Sequence, residues 1–188
     1  FDCDWSSDVC SSDLHIIGIV QTQMKYAKTM SMHDIMDINQ VVEDAVEMQR
    51  DLLEKYSVEL TTNYAQLPMV EIEQVKIVQI IVNLIKNAYE AMSETPSEHR
   101  KLMILTELTT DKNFVSVMIK DNGIGFDPAD KAKLFNFGYS TKQRGTGFGL
   151  HACGLYMLAQ NGHITADSNG IDKGATFTVI IPIKCKHK

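Results

Sequence analysis

Three short motifs, spread over about half of the chain, carry the residue types that a nucleotide site needs. They read Asn83-Leu84-Ile85-Lys86-Asn87-Ala88, Asp121-Asn122-Gly123-Ile124-Gly125 and Gly145-Thr146-Gly147-Phe148-Gly149-Leu150. The first offers amide oxygens, which are hard ligands suited to Mg²⁺. The second places a carboxylate beside glycines, where it can accept from a base amine while a flat ring approaches the backbone. The third offers backbone N–H groups for phosphate at a helix start. In combination they predict a nucleotide site.

Each motif also has an ordinary structural interpretation. Asn83 and Asn87 share one face of a helix, and such a pair often caps a neighbouring loop. Asn122-Gly123 is a strong signal for a tight hairpin turn, although the residues after it do not read as a return strand. The third motif could be a flexible linker, but Lys142 and Arg144 add positive charge just before it. A P-loop and the motif set of eukaryotic-type kinases are both absent from the sequence.

Hydrophobic periodicity predicts the elements that position these motifs. Asn39 is the expected N-cap of a helix, and 34–38 could be a strand or a turn. The remaining predicted elements are helices at 15–32, 39–56, 71–92, 128–135 and 148–161, and strands at 58–64, around 70, at 102–108, 114–120, 163–168 and 175–182. This order predicts an α/β two-layer sandwich, with a mixed sheet covered on one face by helices. The first helix does not obviously belong to it.

The composition is that of an ordinary globular chain. The 188 residues are 44% hydrophobic and 22% charged, which suits one domain with a helical appendage. The net charge of −6 argues against a nucleic-acid partner. No apolar run is long enough to span a bilayer, so we expect a soluble piece. The cysteines have no metal-binding spacing, which fits a reducing, cytoplasmic compartment.

The first fourteen residues are set apart from the rest. Residues 4–14, DWSSDVCSSDL, resemble a translated sequencing-adapter oligonucleotide, so we treat 1–14 as non-native. Without them the chain has 20 acids against 18 bases. We therefore expect that the natural N-terminus is missing.

Five motifs in this order resemble the GHKL superfamily, which includes DNA gyrase, histidine kinases and MutL. Within it, the chain is similar to the catalytic ATP-binding domain of a sensor histidine kinase. The motifs are an N box at 79–92, a G1 box at Asp121–Gly125, an F box at 134–137, a G2 box at Gly145–Leu150 and a glycine-threonine motif at Gly174–Phe177. The resemblance covers 38–182 and implies the Bergerat-type ATP-binding fold. It divides the chain into the non-native 1–14, a remnant of the dimerisation and phosphoacceptor hairpin (its second helix) at 15–33, and the ATP-binding domain at 34–184.

The resemblance also implies ATP and Mg²⁺ as ligands and a role for each matching residue. Asn87 would hold Mg²⁺, Asp121 would read the adenine amine with support from Thr176, and Gly123 and Gly125 would pass under the ring. Lys142 would lie against the outer phosphates. The full implied ATP-binding set is Asn83, Asn87, Asp121, Gly123, Gly125, Lys142, Gly145, Thr146, Gly147, Phe148, Gly149, Leu150 and Thr176.

One position separates the subfamilies. ATP-hydrolysing members carry a Glu general base four residues before the metal Asn, where this chain has Asn83, an amide that cannot take a proton from water. The expected reaction is therefore transfer of the γ-phosphoryl group to a histidine, for relay to a response-regulator aspartate. Glu90 is assigned no role. His15 and His33 lack the expected surroundings of an acceptor, so we assign no catalytic residue and expect no autophosphorylation.

The expected partners are a response-regulator receiver domain and, in the full-length protein, a second copy of the chain. We expect a cytoplasmic domain of bacterial type, attached to the inner membrane, if at all, through missing N-terminal regions, and no nucleic-acid partner. Three alternatives remain open: an anti-sigma-type serine kinase, a fragment of a hydrolysing ATPase clamp, and a nucleotide-binding module without activity.

Overall fold

The computed structural model describes residues 34–140 and 147–183. These belong to one of the two compact units of the chain, 34–188, and the other unit is 1–33. The predicted helix at 15–32 and the motif residues Lys142, Gly145 and Thr146 lie outside the described residues.

The described residues alternate strands with helices much as the sequence predicts. The elements are β1 Asp34–Met36, α1 Ile38–Lys55, β2 Glu59–Tyr64, β3 Val70–Ile72, α2 Gln74–Ala91, β4 Lys101–Leu108, β5 Phe114–Asp121, α3 Phe148–Ala159, β6 His163–Asp167 and β7 Thr176–Pro182, with 3₁₀ helices at Ser97–His99 and Pro128–Lys133.

Five strands form one mixed sheet in the order β2-β4-β5-β7-β6. β2 runs parallel to β4 and the other neighbours are antiparallel, while β1 and β3 form a separate antiparallel pair. Side chains alternate between the faces of a strand, and one face of the sheet is buried at Ile104, Ile119, Phe177 and Val179. Helices pack on this sheet, which confirms the predicted α/β two-layer sandwich. Asp121 follows Ile119 by two residues, so its side chain lies on the buried face.

Helix α2 is the central helix of the covering layer. Its apolar residues recur at three- and four-residue intervals, and it packs against α1, α3 and β5. Each fully buried aliphatic side chain of this kind contributes roughly 1.5–3 kcal/mol. The buried residues of α2 are Ile77, Ile80, Ile81, Leu84, Ile85, Ala88 and Tyr89. This burial fixes the rotation of α2 and therefore the direction of its polar stripe, Asn83 and Asn87.

The prediction that Asn39 caps α1 is wrong. Asp37 is the N-cap, and its side chain accepts from the Asn39 backbone N–H at 2.9 Å. The Asn39 side chain instead joins α1 to the sheet region, because it donates to the Ala65 carbonyl (2.9 Å) and accepts from the Thr106 hydroxyl (2.7 Å).

The helix predicted from residue 71 begins at Gln74 instead. Ile72 belongs to β3, where it pairs with Asp34 of β1. Glu71 and Ile72 form a strand because they pair with the backbone of β1, which lies more than thirty residues earlier in the sequence.

Arg100 ties together the ends of α1 and α2. Its guanidinium donates to the carbonyls of Tyr56 (2.8 Å), Thr95 (2.9 Å) and Ser93 (3.1 Å). These carbonyls follow the two helix C-termini, where a cation is favourable. The arrangement fixes the loop from which β4 begins, beside the end of β5.

Candidate nucleotide-binding site

The Asp121 carboxylate lies buried at the end of β5, with 4% of the residue exposed. Its Oδ1 accepts from the backbone N–H groups of Gly123 (2.8 Å) and Ala175 (3.3 Å). The Asp121 N–H in turn donates to the Ala175 carbonyl at 3.0 Å. A buried carboxylate requires such donors, and they hold it as a fixed acceptor at the end of the sheet's central strand.

Asn122-Gly123 does not form a hairpin turn. The Asn122 side chain donates to the His99 carbonyl (2.6 Å) and accepts from the Lys101 N–H (2.8 Å). β5 pairs with β4 and β7. The chain after Asp121 continues as a loop that the Asn122 side chain holds to the start of β4.

Gly123 and Gly125 lie where a side chain would not fit. A Cβ on Gly123 would come within 2.5 Å of the Ala91 carbonyl oxygen, because the loop is pressed against the C-terminus of α2. Gly125 has φ +64° and its Cβ would lie 2.6 Å from the Gly170 carbonyl oxygen. Both predicted glycines thus let backbone segments approach closely beside Asp121.

The turn between β6 and β7 supports this loop from the other side. The N–H groups of Asp172 and Gly174 donate to the carbonyls of Ile124 (2.6 Å) and Gly123 (2.9 Å). The turn continues into Ala175, a donor to Asp121, and then into Thr176, which pairs with Lys120 of β5. The support of Asp121 by the Thr176 side chain stays a prediction.

The first motif residue, Asn83, serves helix packing. Its Nδ2 donates to the Cys153 Sγ of α3 at 3.3 Å, and a Cβ on Gly149 would lie 2.7 Å from its Oδ1. Cys153 is buried, and this burial raises the pKa of its thiol to about 11. Asn83 therefore holds the first turn of α3 against α2. Asn87, one turn further along α2, is half-buried.

The third motif leads into α3. Gly147 precedes the helix with φ +68°, and Phe148, Gly149 and Leu150 form its first turn. A Cβ on Gly147 would meet the Gly138 backbone at 2.4 Å, so the helix start packs against the residue that follows the predicted F box. The first turn of a helix carries unpaired N–H groups and a partial positive charge, which suit an anion.

The region that holds this site matches a protein family. Residues 72–184 match the family described as histidine kinase-, DNA gyrase B-, and HSP90-like ATPase, which is more than half of the chain. The chain belongs to this ATPase family. All three motifs lie within the matched region, as does the glycine-threonine motif that leads into β7.

Curated relatives of this ATPase-family chain include two bacterial sensor proteins. Sensor protein TdiS of Thauera aromatica is 29% identical over 150 residues, covering 78% of this chain and 27% of TdiS. Sensor histidine kinase TmoS of Ectopseudomonas mendocina is 35% identical over 117 residues, covering 62% of this chain and 12% of TmoS. The chain thus spans about a quarter or less of the length of these relatives.

Solved structures with the same fold include two of the histidine kinase ThkA. Its nucleotide-free catalytic domain superposes with a TM-score of 0.70 at 24% identity, covering 80% of this chain and 95% of that one. ThkA in complex with the response regulator protein TrrA gives a TM-score of 0.72 at 19% identity, covering 100% of this chain and 55% of that one.

Metal-ligating side chains are sparse in the described part of this family member. Within 34–140 and 147–183, no group of three His, Cys, Asp or Glu side chains is placed to hold a metal ion. The half-buried amide of Asn87 can supply one hard oxygen, which fits Mg²⁺ held mainly by phosphates and water. No helix in the same ranges combines the length and hydropathy needed to cross a membrane.

Proposed function

We propose that this chain is the ATP-binding kinase core of a two-component sensor histidine kinase. It would transfer the γ-phosphoryl group of ATP to a histidine, for relay to a response-regulator aspartate. The observation that carries the proposal is the buried Asp121 carboxylate, held by two backbone N–H groups beside two glycines that admit no side chain. Family membership and the similarity to TmoS, a sensor histidine kinase, support it.

Each side of the site would hold one part of the nucleotide. Asp121 would accept a hydrogen bond from the exocyclic amine of adenine, and the backbone of Gly123 and Gly125 would lie against the ring. Thr176 would support Asp121. The motif 145–150, together with Lys142 and the N-terminus of α3, would surround the triphosphate. Asn87 would hold Mg²⁺, which neutralises charge on the phosphates.

Transfer is favoured over hydrolysis by the chemistry of Asn83. An amide side chain cannot accept a proton from water, and here its Nδ2 already donates to Cys153 on α3. The position that carries a general base in the hydrolysing members therefore serves packing. Phosphoryl transfer depends instead on positioning and charge neutralisation, which the site can provide.

The acceptor histidine would come from a helical hairpin outside this chain. Among the described histidines, His151 places Nδ1 2.9 Å from the Phe135 carbonyl, while His99 and His163 are exposed on other elements. The partners would be a second copy in the full-length protein and a response regulator, as ThkA is seen with TrrA. We propose a cytoplasmic location, with any membrane attachment through N-terminal regions, and no nucleic-acid partner.

ATP binding tests the site directly. With Mg²⁺-ATP in a calorimeter, Asp121→Asn should weaken binding by about 10- to 100-fold, the effect of losing a hydrogen bond to a charged group. Asp51→Asn, at an exposed position on α1, is the matched control and should bind as the parent does. An unchanged affinity in Asp121→Asn would count against the assignment.

Phosphoryl transfer tests the reaction. Incubated with γ-labelled ATP, the chain alone should acquire no acid-labile label, and a supplied hairpin that bears an acceptor histidine should become labelled. Robust acid-labile label on His15 or His33 would refute this expectation. Acid-stable label on a partner protein would favour the serine-kinase alternative, and rapid steady-state phosphate release would favour the clamp ATPase.

A further inference from the structure

We propose that Ser168 is a positioning residue for the Asp121 carboxylate, an inference that rests on the proposed function. A single peptide group, Gly174–Ala175, lies between the two side chains. Its carbonyl accepts from the Ser168 hydroxyl at 2.7 Å, and its N–H donates to Asp121 Oδ1 at 3.3 Å. Ser168 therefore reaches Asp121 through one rigid, planar unit.

The Ser168 hydroxyl is used to its full capacity. Its oxygen accepts from the N–H groups of Phe126 (3.3 Å) and Gly170 (3.2 Å), which fill its two lone pairs. Its one hydrogen is then available for a carbonyl, and Gly174 at 2.7 Å is closer than Gly170 at 3.1 Å. The hydroxyl thus joins the end of the 123–126 loop to the turn that follows β6.

Two effects link this hydroxyl to the carboxylate. A hydrogen bond accepted at a peptide carbonyl polarises the group and strengthens the donor at its N–H. The same bond fixes the rotation of the Gly174–Ala175 peptide, which sets where that N–H points. Removal of the hydroxyl should therefore loosen the bond to Asp121 without introducing any steric clash.

The choice of nucleotide separates this role from a general structural one. In the proposed site, Asp121 contacts only the exocyclic amine of adenine, so a purine nucleotide without that amine gains nothing from a well-placed carboxylate. A loss of positioning should weaken ATP selectively. General loosening of the loops should weaken both nucleotides equally.

The experiment measures the affinities of the full 188-residue chain for ATP and for purine riboside triphosphate, both with Mg²⁺. Ser168→Ala should weaken ATP binding by about five- to tenfold, as expected for one hydrogen bond, and change purine riboside triphosphate by less than about twofold. In an Asp121→Asn background, Ser168→Ala should cause no further loss for ATP, because the two residues act in series. Ser116→Ala removes another buried hydroxyl, one that donates to Glu107 on the neighbouring strand, and should leave both affinities unchanged.

A second variant guards against misfolding. Ser168→Thr keeps the hydroxyl and should preserve the parent's ratio of ATP to purine riboside triphosphate affinity, and far-UV circular dichroism should show that each variant is folded. Equal losses for both nucleotides in Ser168→Ala, no loss for ATP, or additive losses with Asp121→Asn would each overturn the inference while leaving the proposed function in place. A parent chain that binds neither nucleotide would overturn both.

Discussion

Gly174→Ala is the substitution whose effect the structure defines most sharply. Gly174 has φ +70°, and a Cβ there would lie 2.2 Å from the Asp121 carbonyl oxygen and 2.9 Å from the Asn122 Cα. Both atoms belong to the backbone, so no side-chain rotation can relieve the overlap. The end of β5 would have to move, and the carboxylate that we propose to read adenine would move with it.

The expected cost has two parts. An alanine in the left-handed region costs roughly 1–2 kcal/mol, and forcing a backbone to make room for a methyl group costs a further 1–3 kcal/mol or so. The total, about 2–5 kcal/mol, is a large share of the roughly 5–15 kcal/mol that stabilises a typical domain. Gly174→Ala should therefore unfold at a clearly lower urea concentration than the parent.

Gly138→Ala is the matched control. Gly138 has φ +75°, nearly the same backbone conformation, but a Cβ at this position would have no described atom within 4 Å. The free energy of unfolding of Gly138→Ala should fall only by the cost of the left-handed backbone conformation, roughly 1–2 kcal/mol. Urea unfolding followed by far-UV circular dichroism gives both free energies of unfolding, and calorimetry on the folded variants gives their ATP affinities. If Gly174→Ala is no less stable than Gly138→Ala, the steric reasoning is refuted.

Two further predictions concern titration and the ties between helix ends. Burial raises the pKa of Cys153 from about 9 to about 11, so between these pH values an unfolded thiol loses its proton while the folded one keeps it. The free energy of unfolding should then fall with rising pH by roughly 2–3 kcal/mol more in the parent than in Cys153→Ala, and identical pH profiles from urea titrations would contradict this. Arg100→Lys should lower the free energy of unfolding by about 1–3 kcal/mol, because an ammonium cannot reproduce three guanidinium bonds to carbonyls. Arg50→Lys alters an exposed ion pair with Glu47 and should lower the free energy of unfolding by less than about 0.5 kcal/mol. Equal effects of the two lysine substitutions in urea unfolding would show that the Arg100 hydrogen bonds do not contribute to stability.

Local pattern is sufficient to predict most of the fold. The apolar spacing from Ile77 to Ala88 predicts the central helix, and alternation predicts β4 and β5. The alternation also has a consequence for the site, since it places Asp121 on the same face as Ile119, the side covered by helices. The burial of the carboxylate thus follows from a two-residue period that can be read in the sequence.

The errors arise where a distant segment decides the outcome. Asp37 and Asn39 are both good capping residues, and the choice between them depends on Ala65 and Thr106, which engage the Asn39 side chain. Ile72 fits the apolar pattern of a helix as well as that of a strand. It lies in a strand because it pairs with β1. Propensity contains no information about such contacts.

Residue types identify only part of the proposed site, because they do not reveal the groups that the backbone supplies. Asp121, Gly123 and Gly125 have recognisable chemistry, and the structure brings them together. The Ala175 N–H has no sequence signature, because every residue except proline carries one. Ser168 has only the signature of a strand end and turn, where serine is common for reasons unrelated to ligands.

The construction of this site from backbone groups determines which changes it can tolerate. Gly123, Gly125 and Gly174 each contact other backbone at distances that exclude a Cβ, so substitution there must displace a strand end or a loop. By contrast, Ile124 and Ile171 are 41% and 55% exposed, although the backbone at Ile124 is part of the same hydrogen-bonded loop. Since hydrogen bonds made by the main chain do not depend on the side chain, these exposed positions can vary while Asp121 stays in place. The adenine end of the proposed site therefore consists mainly of closely packed backbone that leaves no room for side chains. One carboxylate, that of Asp121, provides the selectivity for the exocyclic amine.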